Sequence, residues 1–323
     1  MVSAAGVAAC SAPRPGGSTV DPSAASTRSA SSTPSIAAPT PGPTSSVPPA
    51  LLPATHAWVA RRGEVEPAVK RRATDLVESV AAWTAHRGGL ADARSRATAA
   101  GHDPGLADQM APLLGSGLAA AVQVRDAQYG GILSGSASVL VVVDQWRAQD
   151  DGTVTAGGTT LDVRLVAASP QWRVVAVHPA SPGRAVTSLS SLARRVLADD
   201  RVRLPYAAHA DVAAGTIHDT VLSLLVSLAP EHVVDVSVLR SGHPQRVFGT
   251  SRTSDHPRGR AVDVWALDSR PLVVPANHGL AVSAMRHAVA QGAYNVGGPV
   301  LLAGSQYFSD RTHQDHIHLG FDR

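Results

Sequence analysis

The chain predicts an α+β protein with two folded units behind a disordered tether. Three observations carry that expectation. Residues 11–55 are almost entirely Ser, Thr, Pro, Ala and Gly, a composition that buries too little apolar surface to offset the entropy of ordering. Residues 56–180 place helical periodicity first and strand alternation after it, the order of an α+β unit. Beyond the breaker Ser181-Pro182-Gly183, residues 185–323 mix helices with strands.

In the first unit, Val69, Ala73, Leu76, Val80 and Trp83 recur at steps of four and three. That is the apolar stripe of an amphipathic helix, which Gly88-Gly89 ends. A second helix is expected over 90–100, and an apolar segment follows around Met110 to Leu114. Four strands are expected over 118–128, 136–149, 159–167 and 172–178. The third alternates, with Leu161, Val163 and Leu165 on one face and Thr160, Asp162 and Arg164 on the other. Asp144, Asp162 and His178 are scattered and read as a solvated face. The unit resembles the cone-shaped nuclear transport factor and cystatin-like domains, which implies a positioning or partner-binding role.

In the second unit, helices are expected over 189–197, 207–214 and 219–228, the last stopped by Pro230, with a strand over 233–239. The run Ala261-Val262-Asp263-Val264-Trp265 reads as a buried strand and 278–290 as a helix. The chain closes on a strand in which His316 and His318 share one face while Ile317, Leu319 and Phe321 share the other. His218 and His232 lie at helix edges and read as capping or surface residues.

The chemistry concentrates in Ser254 to Asp263, which reads S-D-H-P-R-G-R-A-V-D, and in Asp315-His316-Ile317-His318. Neutral imidazole and carboxylate hold zinc, and three such ligands with one open position suit catalysis. His256, Asp263 and His318 are the expected ligands. Gly259 permits a sharp turn after His256. Ser254 and Asp255 are placed to orient His256, as ligating histidines need.

S-x-H-x-x-G-x-A-x-D followed by a late H-x-H resembles the lysostaphin, D-Ala-D-Ala metallopeptidase and hedgehog superfamily, whose bacterial members mostly hydrolyse peptide bonds in peptidoglycan. The resemblance covers the C-terminal unit and implies zinc on His256, Asp263 and His318. It leaves the general base between His316, the first histidine of H-x-H, and Asp315, which stands three residues before the last ligand where some branches carry Glu. Arg240-Ser241-Gly242-His243 resembles the segment that opens such sites. An arginine a few residues on then binds or polarises substrate, a role for which Arg246, Arg252 and Arg240 compete, Arg246 being the residue carried forward. The implied function is zinc-dependent hydrolysis of peptidoglycan stem peptides by a carboxypeptidase or endopeptidase. The alternative is a non-catalytic zinc-containing module that binds wall peptides or an envelope partner.

Composition narrows the setting. The formal net charge is +3 and no Lys/Arg run stands out, which argues against a nucleic-acid partner. Lys70 is the only lysine, a skew that reads as coding bias. With one cysteine no internal disulfide forms. Val7-Ala8-Ala9-Cys10 resembles a bacterial lipobox, which implies that residues 1–10 are a partial lipoprotein signal, that Cys10 is lipidated, and that the protein is extracytoplasmic and reaches the membrane through that lipid alone. Met1 to Gly6 is short for a leader and suggests an earlier start codon.

Overall fold

The computed structural model describes residues 51–322, so the lipobox expectation at Cys10 and the tether up to residue 50 lie outside the described residues. Residues 51–55 carry no regular structure. Among the described residues no helix is long and apolar enough to cross a membrane.

Helix α1 (Pro67–Ala81) begins on a proline, whose missing N–H costs nothing in a first turn. It buries Val69, Ala73, Leu76, Val77 and Val80 along one stripe. Trp83 lies past its end, where it bridges to Ala120 and gives its indole N–H to Gly117. Helix α2 (Leu90–Ala99) and a 3-10 segment over Pro104–Leu113 follow. Strands β1 (Ala119–Ile132), β2 (Ser136–Ala148), β3 (Val154–Val166) and β4 (Arg173–Pro179) then form an antiparallel meander in sequence order. Leu161, Val163 and Leu165 point into the helices, as the alternation of β3 predicts, and join Val69, Leu76, Val139 and Val141 in one core. Burying each such side chain contributes about 1.5–3 kcal/mol.

The opposite face of this sheet departs from the solvated face expected of it. Thr160 is 0% exposed, Asp162 3% and Asp144 7%, while His178 remains exposed. The C-terminal unit covers most of that face, so both sides of the sheet are packed. Strand β1 also runs on to Ile132 rather than stopping at Gln128. Gly131 in this extension serves close packing: a Cβ there would lie 2.1 Å from the Cβ of Phe248. Register shifts on either side of Asp126–Tyr129 kink the strand there, the re-aiming that bulges provide beside functional sites.

The second unit contains α3 (Ser191–Ala198), β5 (Val202–Arg203), α4 (Tyr206–Ala213), α5 (Asp219–Leu228), β6 (Val234–Val238), β7 (Ala261–Leu267), β8 (Arg270–Pro271), α6 (His278–Ala290), β9 (Asn295–Gly297), β10 (Tyr307–Phe308) and β11 (Ile317–Gly320). Its mixed sheet has the order β10-β9-β11-β7-β6-β5, with β8 on the edge of β7. The core gathers Val221, Leu224, Leu225, Val236, Val264, Met285, Ile317 and Leu319. Helix α6 turns Ala281, Ala284, Met285 and Ala288 inward, and Leu280 and Val289 sit half-buried beside them. His218 caps α5, accepting from the Thr220 N–H, and His232 pairs with Asp268, so neither approaches the histidine cluster.

Candidate metal centre

Strand pairing assembles the site. β11 lies antiparallel to β7 with His318 directly opposite Asp263, and the alternation that buries Ile317 and Leu319 turns His316 and His318 to the other face. His256 enters from a 3-10 turn over His256–Arg258 that Gly259 closes at φ 68°. A Cβ there would meet the Thr216 carbonyl oxygen at 2.0 Å, so only glycine fits.

His256 Nε2 is 3.1 Å from Asp263 Oδ1 and 3.1 Å from His318 Nδ1, and His318 Nδ1 is 3.0 Å from Asp263 Oδ1. His256 Nδ1 lies 2.6 Å from the carbonyl of Leu239, the residue just past β6, and therefore carries the proton. Its Nε2 is the nitrogen left to face a carboxylate oxygen and a second imidazole nitrogen. One proton satisfies only one edge of this triangle, whereas a divalent cation above it satisfies all three corners. Bonds of about 2.0–2.1 Å to a tetrahedral ion require corners about 3.3 Å apart, which the triangle approaches.

Burial raises the Asp263 carboxyl, but His256 and His316 outweigh it and hold the group well below the usual carboxylate range. Burial pushes His318 down to about 4, toward the neutral form that ligates.

His243, His256 and Asp263 also form a group whose ligand atoms lie within 4.8 Å of one another. The His243 ring stacks on His256, with centroids 3.9 Å apart and planes 18° apart. Imidazole binds metal in its ring plane, so stacked rings aim their lone pairs side by side rather than at one point. His318, tilted 59° to His256, converges on the shared corner. His243 therefore flanks the triangle as a wall, its Nδ1 2.9 Å from the Pro244 carbonyl oxygen.

Asp315 and His316 form a buried pair. His316 Nδ1 is 2.6 Å from Asp315 Oδ1, which leaves Nε2 facing the cluster, 3.7 Å from Asp263 Oδ2. Burial lowers the His316 pKa, but Asp263 and Asp315 outweigh it and raise the basicity of the ring. Asp315 Oδ2 is occupied as well: it takes the Tyr129 N–H at 3.0 Å and the Lys70 ammonium at 2.6 Å. Burial alone would raise Asp315; Lys70 and His316 bring it below the ordinary value. Both oxygens of Asp315 are thus engaged, one by His316 and the other by Lys70 and the Tyr129 N–H.

Two expectations are corrected. Ser254 and Asp255 do not hold the His256 ring, because the Leu239 carbonyl already takes its N–H. Ser254 Oγ accepts the His256 backbone N–H at 3.4 Å, and Asp255 accepts from Tyr294 and from Asn295, whose amide also lies 3.4 Å from His318 Nε2. Arg246 is exposed and lines a neighbouring cavity of about 620 Å³ with Arg164 and Arg240. The cleft that opens on His316 and His318, about 660 Å³, is lined instead by Arg252, Arg258 and Arg311, and also by His313.

Sequence reasoning missed the part played by the first unit. Gln128 Nε2 donates to Asp263 Oδ2 at 2.7 Å, while Ser237 Oγ donates to Gln128 Oε1. Glu64 joins Lys70 in an ion pair behind Asp315. Burial pushes Glu64 up to about 7 against the pull of Lys70. Lys70 stays charged because Asp315 and Glu64 outweigh the burial that would lower it. The one available signal was the single lysine placed on the buried stripe of a helix. No family model, curated protein or solved structure matches the chain.

Proposed function

We propose that the protein is a zinc-dependent peptidase that hydrolyses peptide bonds of peptidoglycan, as a carboxypeptidase or endopeptidase, from a lipid anchor at Cys10 outside the cell membrane. The observation that carries the chemistry is the near-equilateral triangle of His256 Nε2, Asp263 Oδ1 and His318 Nδ1, with sides of 3.0 to 3.1 Å. A mixed set of two imidazoles and one carboxylate is a donor set of catalytic zinc. The substrate class rests on the motif resemblance.

Bound here, zinc supplies Lewis acidity to a water and to a peptide carbonyl. The chain supplies the rest. His316 Nε2 takes the proton from the attacking water and returns it to the departing amine, a role that needs a positioned base within hydrogen-bond reach. Asp315 fixes the tautomer by accepting the Nδ1 proton of His316. Arg252 and Arg258 offer positive charge in the cleft for a substrate carboxylate or a developing oxyanion.

The test is mass spectrometry of muropeptides incubated with the zinc-loaded protein. New fragments that gain the mass of water, and vanish with a chelator, are expected. Unchanged muropeptides from protein shown to carry zinc overturn the hydrolase reading.

A further inference from the structure

We infer that the first folded unit is half of the metal centre: Gln128 and Lys70, on its strand β1 and helix α1, are positioning residues for Asp263 and for the Asp315–His316 pair. The inference rests on the zinc reading above and adds which groups hold the ligand and the base in place.

Asp263 Oδ1 belongs to the donor triangle, and its Oδ2 lies outside it, within reach of Gln128 and 3.7 Å from His316 Nε2. A carboxylate with a free second oxygen can rotate and change its distance to an ion. Gln128 Nε2 holds Oδ2 at 2.7 Å, and Gln128 is itself held through its Oε1 by Ser237. Both Gln128 and Asp263 are 0% exposed, so no water competes for that oxygen. Such partners of a ligating group set its orientation, and losing one typically costs about 10–100-fold in affinity or activity.

Lys70 does the same for the base. It is 0% exposed, pairs with Asp315 and Glu64, and lies 5.0 Å from the Tyr129 ring. Tyr129 gives its backbone N–H to the same Asp315 oxygen, and its hydroxyl returns to the carbonyls of Val65 and Glu66 just ahead of α1. Asp315 is thereby gripped from α1 and β1 at once, and His316 with it.

The contacts around this core place the two units in one register. Arg61 joins Asp126 of β1 at 2.6 Å and lies 4.6 Å over the Trp265 ring of β7. Arg311 reaches Glu66 at 3.1 Å. The β1 residues Tyr129, Gly130 and Ile132 go on to form one wall of the cleft.

The experiment uses the full chain. Zinc affinity is measured by competition with a chromophoric chelator for the unaltered protein, for Gln128→Met and for Arg164→Ala, which loosens a contact between the units at Phe248 without reaching the centre. Folding is checked by near-ultraviolet circular dichroism. Gln128→Met is expected to bind zinc about 10–100-fold more weakly and Arg164→Ala as tightly as the unaltered protein. Equal affinity in Gln128→Met, or an equal loss in Arg164→Ala, overturns the inference. If the unaltered protein takes no zinc, the functional reading fails first, and that result is distinct from the other two. Lys70→Met supplies a second line: kcat is expected to fall about 100-fold with KM and zinc affinity unchanged. A normal kcat overturns the part given to Lys70.

Discussion

Gln128 and Asp263 stand 135 positions apart in the chain and meet through one buried hydrogen bond of 2.7 Å. A strand of one unit thereby reaches the carboxylate at the centre of the other. The consequences of that junction, and of the donor triangle beyond it, are open to measurement.

Removing a corner of the triangle should separate binding from chemistry. His256→Ala, Asp263→Ala and His318→Ala are each expected to lose zinc by elemental analysis and to lose all turnover. His316→Ala should retain its zinc and lose about 10²–10⁴-fold in kcat. Zinc loss in His316→Ala would make it a ligand instead.

Asp315→Asn tests the orientation of His316. It frees the imidazole to adopt the other tautomer and should lower kcat by up to about 10⁴-fold, the loss seen when the aspartate that orients the histidine of a Ser-His-Asp triad becomes asparagine. It also leaves Lys70 without one of its two buried partners, and breaking such a pair costs about 3–5 kcal/mol. A lowered melting temperature should accompany the loss of rate.

The arginines divide by cavity. Arg252→Ala is expected to raise KM about tenfold or more, since a charge-assisted contact contributes about 1.5–3 kcal/mol. Arg246→Ala should leave both kinetic constants unchanged, because its side chain faces the neighbouring cavity. The reverse outcome in steady-state kinetics would restore Arg246 as the substrate-binding residue.

Glu64 gives the fold a pH dependence whose sign follows from its environment. Its pKa rises from 4.5 unfolded to about 7 folded, chiefly through burial. The folded state therefore keeps a proton that the unfolded state has lost. Stability is fully present below about pH 4.5, declines as pH rises, and has lost this contribution above about 7, a total on the order of 3 kcal/mol. Glu64→Gln should flatten that slope, read by urea unfolding at pH 4.5, 6 and 8.

Much of the second unit was legible in the sequence because its signals are local. The alternation of His316, Ile317, His318 and Leu319 fixes which side chains share a face, and the glycine after His256 announces the turn. The helices over 219–228 and 278–290 follow from their apolar spacing and from Pro230. What the sequence concealed is contact across long separations. Nothing in the alternation of β3 says that Asp162 faces a second unit rather than water. Gly130-Gly131 carries the same letters whether the chain turns there or another aromatic ring lies against it. Nothing near Asp315 in the sequence says that Lys70 and the Tyr129 amide occupy its carboxylate. Arg246 and Arg252 differ in the cavity they face, which depends on the path of a loop.

The solitary lysine has a practical corollary. A protease that cleaves only after lysine has one bond to cut within these 323 residues, and in the native protein that bond follows a side chain sealed between Glu64 and Asp315. Scission there demands that the helix bearing it come away from the C-terminal unit. The rate of that single cut is thus a gauge of how often the molecule opens.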